Sequence, residues 1–171
     1  MSVIRVALAR VEDAGAISEL ECRPENVPFA RGHSEAEHRA RMADPSVRYL
    51  RIEDRAGGFI GFALVTELGG GDHGARLLRI VMDKPGRGLG RPAMQTICAL
   101  VFGEWRIERF WLDVFEDNAR ARHLYESLGF RATGHTHHPS RLRGDGGTAP
   151  LMRMELLAER AESKVPKNSQ D

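Results

Sequence analysis

"KPGRGLGRPAM", residues 84–94, carries Gly86, Gly88 and Gly90 on alternate positions, and it joins an apolar run to a helix-like segment. Glycines spaced in this way let a backbone come close to a ligand and turn its N–H groups inward. A helix start adds unpaired N–H groups and the positive end of the helix dipole, so an anion is favoured there. Arg87 and Arg91 add positive charge at the rim. Taken alone, the stretch is equally compatible with a turn that binds nothing.

Its surroundings narrow the choice. Upstream, "VRYLRIED" (47–54), "GFIGFALVTEL" (58–68) and "ARLLRIVM" (75–82) are strands of a meander, joined by the turn stretches "RAGG" and "GGGDHG". Before them come a strand, "VIRVALA" (3–9), and a short helix with Ala14, Ile17 and Leu20 at helical spacing. A second helix opens on the Ser34–Glu37 capping box of "HSEAEHRARMAD" and stops at Pro45. Downstream, Pro92 suits a first helical turn, where its missing N–H costs nothing, and Met94, Ile97 and Val101 share a face. "ERFWLDVFE" (108–116) is a strand. "NARARHLYESLG" (118–129) is a helix that gathers Ala121, Leu124, Tyr125 and Leu128 on one side and closes on Gly129. Two late strands, "FRATGHTHH" and "APLMRMELL", flank a polar loop, "PSRLRGDGGT". The order β-α-α-β-β-β-α-β-α-β-β predicts an α+β fold: a mixed sheet, antiparallel in its first half, with one right-handed βαβ crossover at its centre.

Length and composition set the bounds. The 171 residues suit one domain, expected over 1–160, with a disordered tail over 161–171. A net charge of +1 excludes a general nucleic-acid binder. Cys22 and Cys98 stand too far apart for a zinc pair and are too few for a disulfide framework. His135, His137 and His138 lack a carboxylate or cysteine to complete a ligand set, so no metal is expected. No apolar run is long enough to span a bilayer, and the N-terminus is charged too early for a signal peptide. A cytoplasmic protein is the expectation.

Three phosphate ligands compete for the glycine loop. A nucleoside triphosphate fails, because no Gly-Lys-Ser/Thr closes the loop. A dinucleotide fits better: Gly88-Leu89-Gly90-Arg91-Pro92-Ala93 matches G-x-G-x-x-A, and Asp113 lies near the end of the next strand. The hairpins on either side count against it, since a doubly wound domain needs repeated βα units. The third ligand, coenzyme A, enters with the second motif. "NARARHLYESLGF" (118–130) places Asn118, Ala121, Leu124, Tyr125, Gly129 and Phe130 in the pattern N-x-x-A-x-x-L-Y-E-x-x-G-F. With the strand–glycine loop–helix before it, this resembles the GNAT superfamily of N-acetyltransferases over residues 3 to 157. The C-terminal half is similar to the branch holding ribosomal-protein N-terminal, spermidine and aminoglycoside acetyltransferases.

The resemblance implies a mostly antiparallel sheet with helices on both faces and a V-shaped splay between the fourth and fifth strands. Acetyl-CoA would enter the splay as co-substrate, its pantetheine arm along Ile80, Val81 and Met82 and its pyrophosphate on Arg87, Gly88, Leu89, Gly90 and Arg91. Asn118 would hydrogen-bond the arm as well as cap its helix, and Arg120 and Arg122 could reach the 3′-phosphate. Tyr125 would donate a proton to the departing thiolate, and a strand N–H near Met82 would hold the oxyanion. The acceptor would be the primary amine of a small molecule or a peptide N-terminus, and a homodimer is one assembly open to it. Pro85 stands where the family pattern has Gln or Arg, and Arg76 where related sequences carry a glutamate. That leaves Glu67, Asp72, His73 and Asp113 as candidate bases. It also motivates a rival reading, an acyl-CoA sensing module without turnover.

Overall fold

The computed structural model describes residues 4–28, 31–142 and 148–162. One seven-stranded sheet runs in the order β1-β2-β3-β4-β5-β7-β6, from β1 (Ile4–Leu8), β2 (Arg48–Asp54), β3 (Phe59–Thr66) and β4 (Gly74–Met82) to β5 (Arg109–Phe115), β6 (Arg131–Leu142) and β7 (Thr148–Leu157). Every pairing is antiparallel except β4 with β5. A doubly wound dinucleotide domain is thereby excluded.

Helices cover both faces. On one, α1 (Ala14–Glu21) sets Ile17 and Leu20 against Tyr49, Phe62, Leu64 and Val81. α2 (Glu35–Met42) starts at the expected capping box, with the Ser34 hydroxyl accepting from the Glu37 N–H at 3.2 Å. On the other face, α3 (Gly90–Ala99) and α4 (Ala119–Leu128) bury Met94, Ile97 and Tyr125 against Leu77, Phe110, Leu112 and Val114. α4 closes on Gly129 at φ 101°, the left-handed position that a Cβ disfavours.

Two features differ from the sequence reading. β6 continues through Leu142 and resumes its ladder with Ser140 opposite Pro150, so half of the expected polar loop is strand. A short helix, α5 (Ala158–Glu162), follows β7. The expected tail beyond it lies outside the described residues, as do the side chains of His135, His137 and His138.

The join between β4 and β5 shapes everything that follows. The two strands pair only at Gly74–Arg109, Ala75–Phe110 and Arg76–Trp111, and from Leu77 onward they diverge. On its other edge β4 stays tied to β3, with one irregularity: Val65 faces Leu77 and Leu64 faces Arg79, so Leu78 is an extra residue. A bulge bends its strand and puts consecutive side chains on one face. Accordingly, Leu78 packs with the α1 cluster, and Arg79 also reaches α1, where it pairs with Glu21. β3 can lie this close because residue 61 is glycine; a Cβ there would stand 2.6 Å from the Val81 carbonyl oxygen.

Candidate active site

The divergence of β4 and β5 opens a cleft of about 730 Å³. Leu78 to Met82 form one wall, and Asp113, Val114 and Phe115 the other. Lys84, Pro85, Gly86 and Gly88 to Arg91 close one end, with Asn118, Arg120, Ala121, Leu124 and Tyr125 of α4 and its cap. Glu25, Asn26 and Arg31, from the segment joining α1 to α2, line the cleft too.

The direction of the β4 backbone follows from one bond. Asp83 N–H donates to the Ile60 carbonyl of β3 at 2.8 Å. Backbone groups on alternate residues of a strand point to opposite edges. Val81 therefore pairs with β3, while the N–H and C=O groups of Ile80 and Met82 point into the splay. Val81 borders the cleft only from within the ladder.

At the loop end, Gly86 and Gly88 hold φ of 92° and 73°, which β-carbon-bearing residues rarely adopt. The Arg120 guanidinium leans over Gly86, within 3.8 Å of where a Cβ would sit. It supplies a cation beside the position where Pro85 lacks one. Arg91 reaches α4 and donates to the Ser127 hydroxyl at 2.7 Å. Arg87 is exposed and does not border the cleft, and Arg122 turns away to the Glu116 carbonyl at 2.9 Å. Asn118 caps α4 by accepting from the Ala121 N–H at 3.2 Å, and it borders the cleft at the same time.

Tyr125 is only 7% exposed, and its ring packs on Phe130 at 5.7 Å. Burial pushes its hydroxyl up to about 12, so it keeps its proton. Among the described residues the hydroxyl makes no hydrogen bond, yet the side chain borders the cleft. It is an available donor.

The candidate bases separate sharply. Glu67, Asp72 and His73 lie between β3 and β4 and do not border the cleft. Asp72 is occupied by Arg109 at 2.6 Å. Asp113 does border it, but Arg153 donates to it at 3.0 and 3.2 Å and Arg76 at 3.2 Å. Both of its oxygens are thus engaged by guanidinium groups, which leaves it badly placed to meet an amine.

Sequence reasoning missed a buried cluster behind the β4 wall. Glu21 is fully buried and pairs with Arg79. Its Oε2 accepts from the His33 N–H at 2.7 Å, while the His33 Nδ1 lies 3.1 Å away. His38 Nε2 lies 3.2 Å from the same oxygen, off the hydrogen-bond line, and its Nδ1 meets the Tyr49 hydroxyl at 2.9 Å. Burial alone would raise the Glu21 carboxyl; His38, Arg79 and the His33 backbone outweigh it and hold it at about 2. Burial lowers the His33 ring, which favours its neutral form. Glu21, His33 and His38 bring metal-type donor atoms within 4.8 Å of one another. The Arg79 guanidinium already stands there as the counter-cation, so the set does not suit a further one. No local spacing marks this group, because α1, α2 and β4 meet only in the fold.

The Acetyltransferase (GNAT) family profile matches residues 7–130. This chain belongs to the GNAT acetyltransferase family. With the family comes acetyl transfer from acetyl-CoA to an amine. Among solved structures, the chain is similar to spermidine N-acetyltransferase from Vibrio cholerae in complex with CoA and spermine, at 20% identity and a TM-score of 0.84, over 95% of this chain and 99% of that one. A chimera of that enzyme gives 21% identity and a TM-score of 0.82, over 95% and 100%. A dodecameric structure of the Vibrio cholerae enzyme gives 20% and 0.79, over 99% and 100%. At these identities the likeness speaks for the fold. The donor set fits the co-substrate: an open strand edge, a positive-φ glycine loop at a helix start, and the cations Lys84, Arg91 and Arg120. No helix among the described residues is long and apolar enough to cross a membrane.

Proposed function

We propose that this GNAT transferase moves the acetyl group directly onto a primary amine, with Tyr125 as the proton donor. Bound acetyl-CoA supplies the activated thioester. The outward N–H and C=O groups of Ile80 and Met82 pair with its arm, and the N–H groups of Gly88, Leu89 and Gly90 receive its pyrophosphate. Arg120 and Lys84 take over the charge neutralisation that Pro85 does not provide, so the loop needs no polar side chain at 85. The Tyr125 hydroxyl protonates the leaving sulfur as the amine attacks the acetyl carbonyl. No side chain has to form a covalent bond.

The observation that carries this reading is the shared cleft. The unbonded Tyr125 hydroxyl, the unpaired β4 edge and the glycine loop all open onto one splay. The amine proton leaves toward Glu25, a cleft-lining carboxylate without an ion pair among the described residues. The acceptor is a small-molecule amine, the kind of compound present beside CoA in the Vibrio cholerae structure.

Calorimetric titration with acetyl-CoA, followed by a thiol-release assay over an amine panel, tests it. Binding with thiol release from at least one amine is expected. Tight binding with no release from any amine would favour the sensing module instead.

A further inference from the structure

We infer that the acceptor carries a carboxylate close to its amine, as an α-amino acid does, and that Arg79 is the residue that reads it. This rests on the transferase reading above. It comes from the charges that the α1–α2 segment and β4 bring to the cleft and from how Arg79 spends its donors.

A guanidinium has five N–H donors in a fixed fork and never deprotonates in a protein. Arg79 uses only Nη1 inward, toward Glu21 Oε1 and to within 3.2 Å of His33 Nδ1. Its side chain is 8% exposed, so water reaches it only through the cleft that it borders. Among the described residues Nε and Nη2 have no hydrogen-bond partner. These donors stay open to the cleft, and a carboxylate matches their fork in two parallel bonds. The bulge at Leu78 turns this edge toward the α1–α2 side of the cleft, away from the glycine loop and its phosphate-binding cations.

The other charges agree. Arg31 is a second cation that lines the cleft on the α1–α2 segment. Asp113 is saturated by Arg76 and Arg153, which leaves Glu25 as the carboxylate there without an ion pair among the described residues. A polyamine would bring several positive charges to a wall that offers one carboxylate without an ion pair among the described residues. A zwitterion meets the same set with its signs matched, ammonium toward Glu25 and carboxylate toward Arg79. Glu21 acts as a positioning residue: it fixes the Arg79 fork from behind and has no path to the substrate.

Thiol release by the full chain is to be measured with matched acceptors: methionine against 3-(methylthio)propylamine, phenylalanine against phenethylamine, each amino acid against its amide, and spermidine. The carboxylate-bearing member of each pair should show kcat/KM at least about tenfold higher, mostly through KM. Arg79→Gln should erase that preference and leave acetyl-CoA affinity unchanged. Because Arg79→Gln strands the buried Glu21 carboxylate, the Glu21→Gln/Arg79→Gln double variant, which removes both charges, is made beside it. The wild-type panel decides the class even if neither variant folds. Equal or better turnover of the amides, the decarboxylated amines or spermidine overturns this inference and leaves the transferase standing. Weakened acetyl-CoA binding in a folded Arg79 variant assigns the fork to the co-substrate and overturns it too. Thiol release from no amine removes both readings.

Discussion

Two side chains show how burial sets chemistry in this molecule. Tyr125 is pushed up to about 12 because its phenolate would be stranded in an apolar pocket beside Phe130. The same burial leaves the neutral hydroxyl without a competing partner among the described residues, ready to donate. Tyr125→Phe keeps the ring and its packing and deletes only the proton, so kcat should fall about 10²-fold or more while acetyl-CoA affinity moves by less than about threefold. Stopped-flow thiol release and calorimetry on the same preparation check this; unchanged kcat would take Tyr125 out of the chemistry. Glu21 shows the opposite balance. Its carboxyl titrates at about 2 in the folded chain against 4.5 ordinarily. A depressed carboxyl stabilises the fold above the unfolded value, and the contribution drains away as pH falls from about 4.5 toward 2. Its full size is on the order of 3 kcal/mol. His33, held below 6.5 by burial, acts in the same direction and starts earlier, because the folded state resists protonating it. Urea unfolding should therefore show stability falling below pH 6.5 and more steeply below 4.5. Glu21→Gln should flatten the lower limb; parallel curves for variant and wild type would refute that assignment.

Among the elements, β4 and the loop after it carry the design. One extra residue, Leu78, puts Leu78 and Arg79 on the α1 face, and the alternation beyond it sends Ile80 and Met82 to the opposite face against Leu89 and Ala93. The loop then needs backbone shapes that side chains resist. Gly88 has φ of 73° and no atom within 4 Å of where a Cβ would sit. Gly88→Ala therefore meets no clash, and its whole cost is backbone strain, about 1 kcal/mol. Since that strain acts on the conformation proposed to turn N–H groups toward the pyrophosphate, acetyl-CoA affinity should drop about fivefold while thermal stability of the free chain shifts little. Calorimetry paired with a melting curve separates the two. A large loss of melting temperature with full affinity would show that the loop shape serves the fold and not the ligand. Helix α4 is the contrasting case: its motif was legible from "NARARHLYESLGF" because cap, apolar face and closing glycine are all local in sequence.

At the scale of the whole molecule, local signals revealed the element order and the glycine loop, whereas the Glu21–Arg79 cluster behind the cleft required the fold. Ser34, Gly129 and the hairpin turns act within a few residues of themselves, so a linear reading finds them. The extension of β6 to Leu142 depends on its pairing with β7. Glu21 lies on α1, His33 on the segment before α2 and Arg79 on β4, and the retirement of Asp113 as a base depends on Arg76 from β4 and Arg153 from β7. The splay itself is a global property: the two halves of the sheet meet through the short β4–β5 ladder, and the ligand proposed to lie between them touches both. Acetyl-CoA at 100 times its dissociation constant should add about 2.7 kcal/mol. For a chain of this length that raises the melting temperature by about 5–10 °C. Hydrogen exchange then locates the bridge. The amides of Ile80 and Met82, which face the open splay, should exchange fast in the free chain and slow on addition of acetyl-CoA. The Val81 amide between them is already paired with β3 and should barely change. Such an alternation of responsive and silent amides along one strand is what an added backbone partner produces. Uniform protection of all three would point to general tightening, and protection confined to the glycine loop would mean that the arm does not pair with β4.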